Sequence, residues 1–142
     1  MGTTTFTGPI KAGNVLATTG TTVGKLANVG SVVMAQSVSV QASTTAVKTG
    51  IVVPANSQII AITIIPSVGF GSSTTLGTTS AATNLTDSKN LPINTLAWFD
   101  PLSAGAWEDV GSTDVEIWLK SGAAVGTGVL ILRYIQNNNV TA

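Results

Sequence analysis

Asp114-Val115-Glu116-Ile117-Trp118-Leu119-Lys120 alternates strictly between two kinds of side chain. A strand sends successive side chains to opposite faces, so Val115, Ile117 and Leu119 share one face and Asp114, Glu116, Trp118 and Lys120 the other. Further on, Val129-Leu130-Ile131-Leu132-Arg133-Tyr134-Ile135 reads as a second strand, uncharged until Arg133. The stretch between them, Ser121-Gly122-Ala123-Ala124-Val125-Gly126-Thr127-Gly128, is rich enough in glycine to close a hairpin. Two strands joined by a predicted hairpin mark the chain as a β protein.

The middle of the chain carries the same signature. Ile51-Val52-Val53-Pro54 ends a short strand, Ala55-Asn56-Ser57 turns, and Gln58 to Ile65 begins a longer strand. Pro54 has no N–H for a ladder, which places it at a strand end or sheet edge. In the longer strand Ile60, Ile62 and Ile64 are expected on one apolar face, with Ile59, Ala61, Thr63 and Ile65 on a mixed but still largely apolar second face. A strand apolar on both sides is central and covered on both sides. In a small domain the second cover is either a loop or another subunit.

Ser37-Val38-Ser39-Val40-Gln41 alternates as well, and weaker strands are expected near 31–36, 80–85, 94–99 and 106–110. No stretch has a 3.6-residue apolar period, and β-branched residues far outnumber strong helix formers. Turn signals every 8–12 residues give the pattern of an all-β sandwich or barrel. Thr18–Thr22 and Ser72–Thr79 read as low-complexity turn material. The expected organisation is an extended N-terminal arm over 1–25, a single β-sandwich domain over 26–136, and a C-terminal tail over 137–142 that frays.

Composition narrows function. The 142 residues include no His and no Cys, six Lys/Arg and six Asp/Glu, for a net charge of zero. General acid–base, nucleophilic and thiolate-metal chemistry draw on just those residue types. Charged residues make up 8% of the chain, against about 25% in an average soluble domain. The cations are dispersed, so no basic patch draws nucleic acid or an anionic membrane. The longest apolar stretch, Ile59–Ile65, falls far short of the roughly 20 residues of a transmembrane helix. Met1–Phe6 has neither a basic nor an apolar leader region, so the expectation is a non-enzymatic protein made in a cytoplasm, with no cofactor and no metal.

Carboxylates gather at one place, Asp100, Glu108, Asp109, Asp114 and Glu116. Such groups can run glycoside hydrolysis or hold Ca²⁺, but neither a Ca²⁺-loop spacing nor a nucleophile elbow accompanies them. The simpler reading has Asp100 and Asp109 capping turns and Glu116 facing water. Trp98, Phe99 and Trp107 cluster in a loop-like region with Pro101 and Gly105, and Trp118 stands among charged neighbours on the outer face of its strand. Aromatic groups away from a core anchor interfaces and sugar platforms; plugging the end of a sandwich is the competing role for Trp98 and Trp107.

Several stretches together resemble small all-β virion proteins of tailed phages, in particular those of marine T7-like phages. They are Phe6-Thr7-Gly8-Pro9-Ile10-Lys11-Ala12-Gly13, Val29-Gly30-Ser31-Val32-Val33-Met34-Ala35-Gln36, Ile51-Val52-Val53-Pro54-Ala55-Asn56-Ser57-Gln58-Ile59-Ile60, and the closing Arg133-Tyr134-Ile135. The resemblance implies a jelly-roll-like sandwich, a homotrimer, and a decoration (cement) role on the outer capsid surface, with the major capsid protein as partner. The contact residues expected on chemical grounds are Phe6, Ile10, Trp98, Phe99, Trp107 and Trp118, with the arm docking on a neighbouring subunit or on the capsid by strand addition. The alternatives are a carbohydrate-binding or adhesion module displayed on the virion, with a surface glycan on one of the Trp residues, and a head-fibre or tail component.

Overall fold

A computed structural model describes residues 33–103, 105–108 and 110–136. The expected arm, with Phe6 and Ile10, and the expected tail lie outside the described residues. Among the described residues eight strands follow one another: β1 Val33–Gln41, β2 Val47–Val53, β3 Ser57–Val68, β4 Gly71–Gly77, β5 Lys89–Leu91, β6 Ala97–Trp98, β7 Val115–Lys120 and β8 Thr127–Gln136. A single helical turn, α1, spans Gly105–Glu108. The strands form two four-stranded sheets in the orders β1-β8-β3-β6 and β2-β7-β4-β5, and the paired strands run antiparallel. The protein is an all-β sandwich, as the alternation predicts.

The pairing is nested. β1 pairs with β8, β2 with β7, β3 with β6 and β4 with β5. The chain thus runs out to β4, turns, and returns beside itself like a long two-stranded ribbon. Rolling that ribbon brings β8 against β3 and β7 against β4 and splits it into two sheets.

One consequence overturns the predicted hairpin. β7 and β8 do not pair; each lies in the middle of a different sheet, and 121–126 carries the chain across from one to the other. The glycines there serve close passage rather than a tight turn. A Cβ on Gly122 would sit 2.0 Å from the Ser72 carbonyl oxygen, and one on Gly126 would sit 2.7 Å from the Gly69 oxygen. Ser121 pins the start of the crossing, its hydroxyl donating to the Phe70 carbonyl at 2.6 Å and accepting from the Ala123 N–H.

The core lies between the sheets. Leu130, Leu132 and Tyr134 of β8 and Ile62 and Ile64 of β3 face Ile117 and Leu119 of β7 and Leu76 of β4, closed off by Phe70, Leu85 and Leu91. Val115, Ile117 and Leu119 share the inner face as expected, Val115 packing at its margin. β3 departs from the expectation. The register with β8 slips between Ile59 and Ala61, so Ile59 points inward with Ile62 and Ile64 while Ile60 is 38% exposed. A β-bulge adds one residue and flips the alternation beyond it, which strict period-2 reading cannot see.

Other boundaries move for local reasons. The expected strand near 31–36 and the Ser37–Gln41 strand are one strand, β1. That near 94–99 shrinks to β6, and none forms over 80–85, where Ala82 takes a positive φ of 52° in a turn closed by the Ala82 N–H on the Thr79 carbonyl. Near 106–110 there is the helical turn α1, held by the Trp107 Nε1 donating to the Leu85 carbonyl at 3.0 Å. β4 arises from what read as turn material, Gly71-Ser72-Ser73-Thr74-Thr75-Leu76-Gly77, because Thr74 and Leu76 both point inward and are fully buried.

Between β1 and β2, where the two sheets meet at their edges, Gln36 does the work of a strand. Its amide nitrogen donates to the Val52 carbonyl at 2.6 Å while its amide oxygen accepts the Val52 N–H at 3.3 Å. A free β2 edge is thereby partly satisfied.

Burial decides the expected effects of substitution. Ile62→Ala, which empties a fully buried site, is expected to cost about 3 kcal/mol, and Ile60→Ala under about 1 kcal/mol; chemical denaturation of both variants compares them directly. Equal losses would mean that the bulge is misplaced. The Thr74 hydroxyl is buried with no hydrogen-bond partner, so Thr74→Val, which keeps the shape and removes the orphaned polar group, is expected to raise stability by about 1 kcal/mol in the same assay.

Candidate interaction surfaces

β3 and β8 are apolar on both faces, so the outer face of the β1-β8-β3-β6 sheet is built of side chains that would ordinarily be covered. Antiparallel partners share a face, and the registers define its rows. Ser37, Ile131, Thr63 and Trp98 form one row across all four strands. The next holds Ser39, Val129 and Ile65, and the register that pairs Ile64 with Ala97 brings Leu96 alongside Ile65. On the other side the row reads Ala35, Arg133, Ala61. Trp98, Leu96, Ile65 and Val129 are all exposed. Thr63, at the centre, is 7% exposed between its larger neighbours, and its hydroxyl turns back to the Ile131 carbonyl.

The other sheet presents a different surface. Trp118 is half-buried and aligned with Lys48 on β2 and Gly77 on β4. The Lys48 ammonium stands 5.4 Å from the centre of the indole ring and 2.7 Å from the Glu116 carboxylate. One cation therefore serves both a cation–π contact and an exposed ion pair, each worth about 1 kcal/mol or less. On the Gly77 side, Asn84 folds over, accepting from the Thr78 N–H and donating to the Thr78 hydroxyl. A shallow cleft of about 390 Å³ lies nearby, lined by Ser39, Gln41, Ser43, Lys48, Thr49 and Leu119. Its hydroxyls are largely committed, with Thr49 bonded to the Ile117 carbonyl and the Ile51 N–H and Ser43 to Thr45.

The aromatic residues singled out from sequence therefore separate. Trp98 is 53% exposed on the outer sheet face, and Trp118 reaches the opposite surface. Phe99 is 3% exposed and belongs to the core, because alternation turns it inward beside Trp98. Trp107 is half-buried, packs against the core and spends its N–H on Leu85; it closes the end of the sandwich. Sequence reasoning placed Ile65 on the second, largely apolar face of its strand but passed over Leu96, Val129 and Arg133 as surface groups. The two-sided apolar pattern of Val129–Leu132 was the signal that could have found them.

The carboxylates are also dispersed. Asp114 accepts the Ala55 N–H at 2.9 Å, Glu116 holds Lys48, and Asp100 joins Asp87 around Lys89. Asp109 lies outside the described residues. Among the described residues no group of three or more metal-ligating side chains comes together, and no helix is long and apolar enough to cross a membrane.

Lys89 is the most connected charge. Its ammonium lies 2.5 Å from Asp100 and 3.4 Å from Asp87, tying β5 of one sheet to the segment that follows β6 of the other. The hydrogen bond that its ammonium donates to Asp100, then that to Asp87, holds its pKa above the ordinary lysine value despite some desolvation. A pKa raised on folding stabilises fully below the unfolded value, about 10.4, and that contribution fades as pH rises through the folded value. Lys89→Met is therefore expected to lower the melting temperature at neutral pH, with the gap to the parent closing as pH rises past the unfolded lysine value and through the raised folded one. A gap independent of pH would trace the loss to packing of the lysine stem instead.

No protein-family model, curated protein or solved structure matches this chain.

Proposed function

We propose that this chain is a non-enzymatic structural protein of a phage particle, made in the host cytoplasm, that binds the outer capsid surface and reinforces it as a decoration or cement protein. The observation that carries the reading is the nested pairing β1·β8, β2·β7, β3·β6 and β4·β5. Rolling a ribbon paired in that way gives the eight-stranded, two-sheet jelly roll, an architecture used in viral capsid and lectin domains, and the strand order supports that finer description.

The surface chemistry supports the same role. A protein that adheres to a large surface gains less from ionic groups at the rim than from desolvated apolar anchors. This chain spends few charges, and those described are mostly paired within the molecule. The major capsid protein is the proposed partner, and association of copies would let several weak shell contacts act together. For the sugar-platform alternative Trp118 draws less support, because its ring is shared with the Lys48 ammonium, and Trp107 is committed to Leu85 and the core, which leaves the exposed Trp98.

Cryo-electron microscopy of particles assembled with and without the chain tests the proposal. Additional density of sandwich shape on the outer capsid surface, together with earlier heat-induced rupture of the particles that lack it, is the expected outcome. Density confined to a fibre or the tail, with an unchanged shell, would overturn it in favour of an adhesion or tail role.

A further inference from the structure

We infer that the outer face of the β1-β8-β3-β6 sheet is a self-association surface, on which two copies of this chain pack face to face about a twofold axis running along β3. The inference concerns the free chain and does not rest on the capsid reading.

The first argument is what the face leaves uncovered. β3 has the two-sided apolar character of a covered strand, yet Ile65 is 44% exposed on its outer side, between Val129 at 39% and Leu96 at 48%. Strands about 4.8 Å apart, with about eight residues of about 3.3 Å each on β1, β8 and β3 and two on the short β6, give a face of roughly 400 Å² in projection. Accessible area exceeds projected area, and the exposed Leu96 just before β6 adds to the apolar surface. The total falls short of the roughly 800 Å² per partner of a standard interface, which suits a weak, reversible association. The face is also flat at its middle, since β3 contributes Ala61 and Thr63 there, and sheets pack well on flat, small-residue surfaces about 10 Å apart.

The second argument is that the face complements itself. A twofold axis along β3 exchanges the β8 side for the β6 side and leaves the rows in place. Trp98 of each copy then lies over Ile131 of the other, a large side chain over a recessed one, and Ile65 meets its own counterpart. Charge follows the same exchange. Arg133 stands between Ala35 and Ala61 on β8, and no carboxylate pairs with it among the described residues. Beyond β6, Asp87 and Asp100 share one ammonium, that of Lys89, which leaves one net negative charge at that rim. The exchange brings each Arg133 toward the acidic rim of its partner, twice over by symmetry, as an isologous contact requires. This differs from the threefold arrangement that the resemblance implies.

Sedimentation equilibrium and light scattering on the full chain test the surface without any particle. The expected result is a concentration-dependent species of twice the 14.3-kDa protomer mass that weakens as salt is raised. Ile65→Asp and Arg133→Asp should each raise the dissociation constant by at least about tenfold, with circular dichroism unchanged because both sites are on the surface. Asp100→Lys should weaken association similarly, and mixing it in equal amounts with Arg133→Asp should restore the paired mass, since each variant supplies the charge the other then needs. A monomer at every concentration overturns the inference, as does an oligomer of any size that Ile65→Asp leaves intact.

Discussion

Everything else in the fold depends on β8 lying between β1 and β3. Its backbone is shared by two ladders, to β1 from Val33↔Ile135 down to Gln41↔Thr127, and to β3 over nearly the same span. Its inward side chains, Leu130 and Leu132, are fully buried. Without β8, β1 and β3 have no common neighbour and the first sheet falls into pieces. The crossing before it is what makes the position reachable, and that crossing passes so near to other backbone that Gly122 and Gly126 have no room for a side chain. A hairpin would have joined β7 to β8 at lower entropic cost, but it would have put both in the same sheet and left the second sheet without its centre.

The scarcity of charge becomes intelligible from how the sheets are tied. The links between segments are mostly neutral: Gln36 on Val52, Ser121 on Phe70, Thr49 on Ile117, Thr86 on the Leu76 N–H. A buried or half-buried hydrogen bond from a hydroxyl or amide carries no large desolvation penalty for an ion. The charged ties, Lys48 with Glu116, Asp114 with the Ala55 N–H and Lys89 with Asp87 and Asp100, sit at the surface, and Lys89 bridges the two sheets at the rim. A Thr- and Ser-rich chain can thus be cross-tied internally while its outside stays almost uncharged.

Much of this was legible beforehand, and the misses have definite causes. The alternation of Asp114–Lys120 assigned Ile117 and Leu119 to the core correctly, because a half-buried strand writes its environment into every second residue. Ile60 was misassigned because one inserted residue inverts that code without changing composition. β4 escaped notice because Thr74 occupies an inward position with a side chain that is polar by name but buries a methyl group. Phe99 and Trp98 looked alike as neighbouring aromatics; only the register with Ile62 and Thr63 assigns one to the core and the other to the surface. The pairing of β1 with β8 and β2 with β7 was beyond local pattern altogether, since nothing in a strand's own sequence names a partner a hundred residues away.

That nesting has a consequence in time. Contacts between the two ends of the chain form only after the loop between them has closed, and folds dominated by such contacts are slow to form. During synthesis β3 emerges well before β8, so one of its two ladders and much of its apolar surface wait without a neighbour until the last strand has been made. Of the nested pairs, β4 with β5 spans the shortest stretch of chain and can close earliest. Loop-closure entropy therefore favours closure from the tip of the ribbon toward its ends, with the sheet that carries the exposed apolar face completed last.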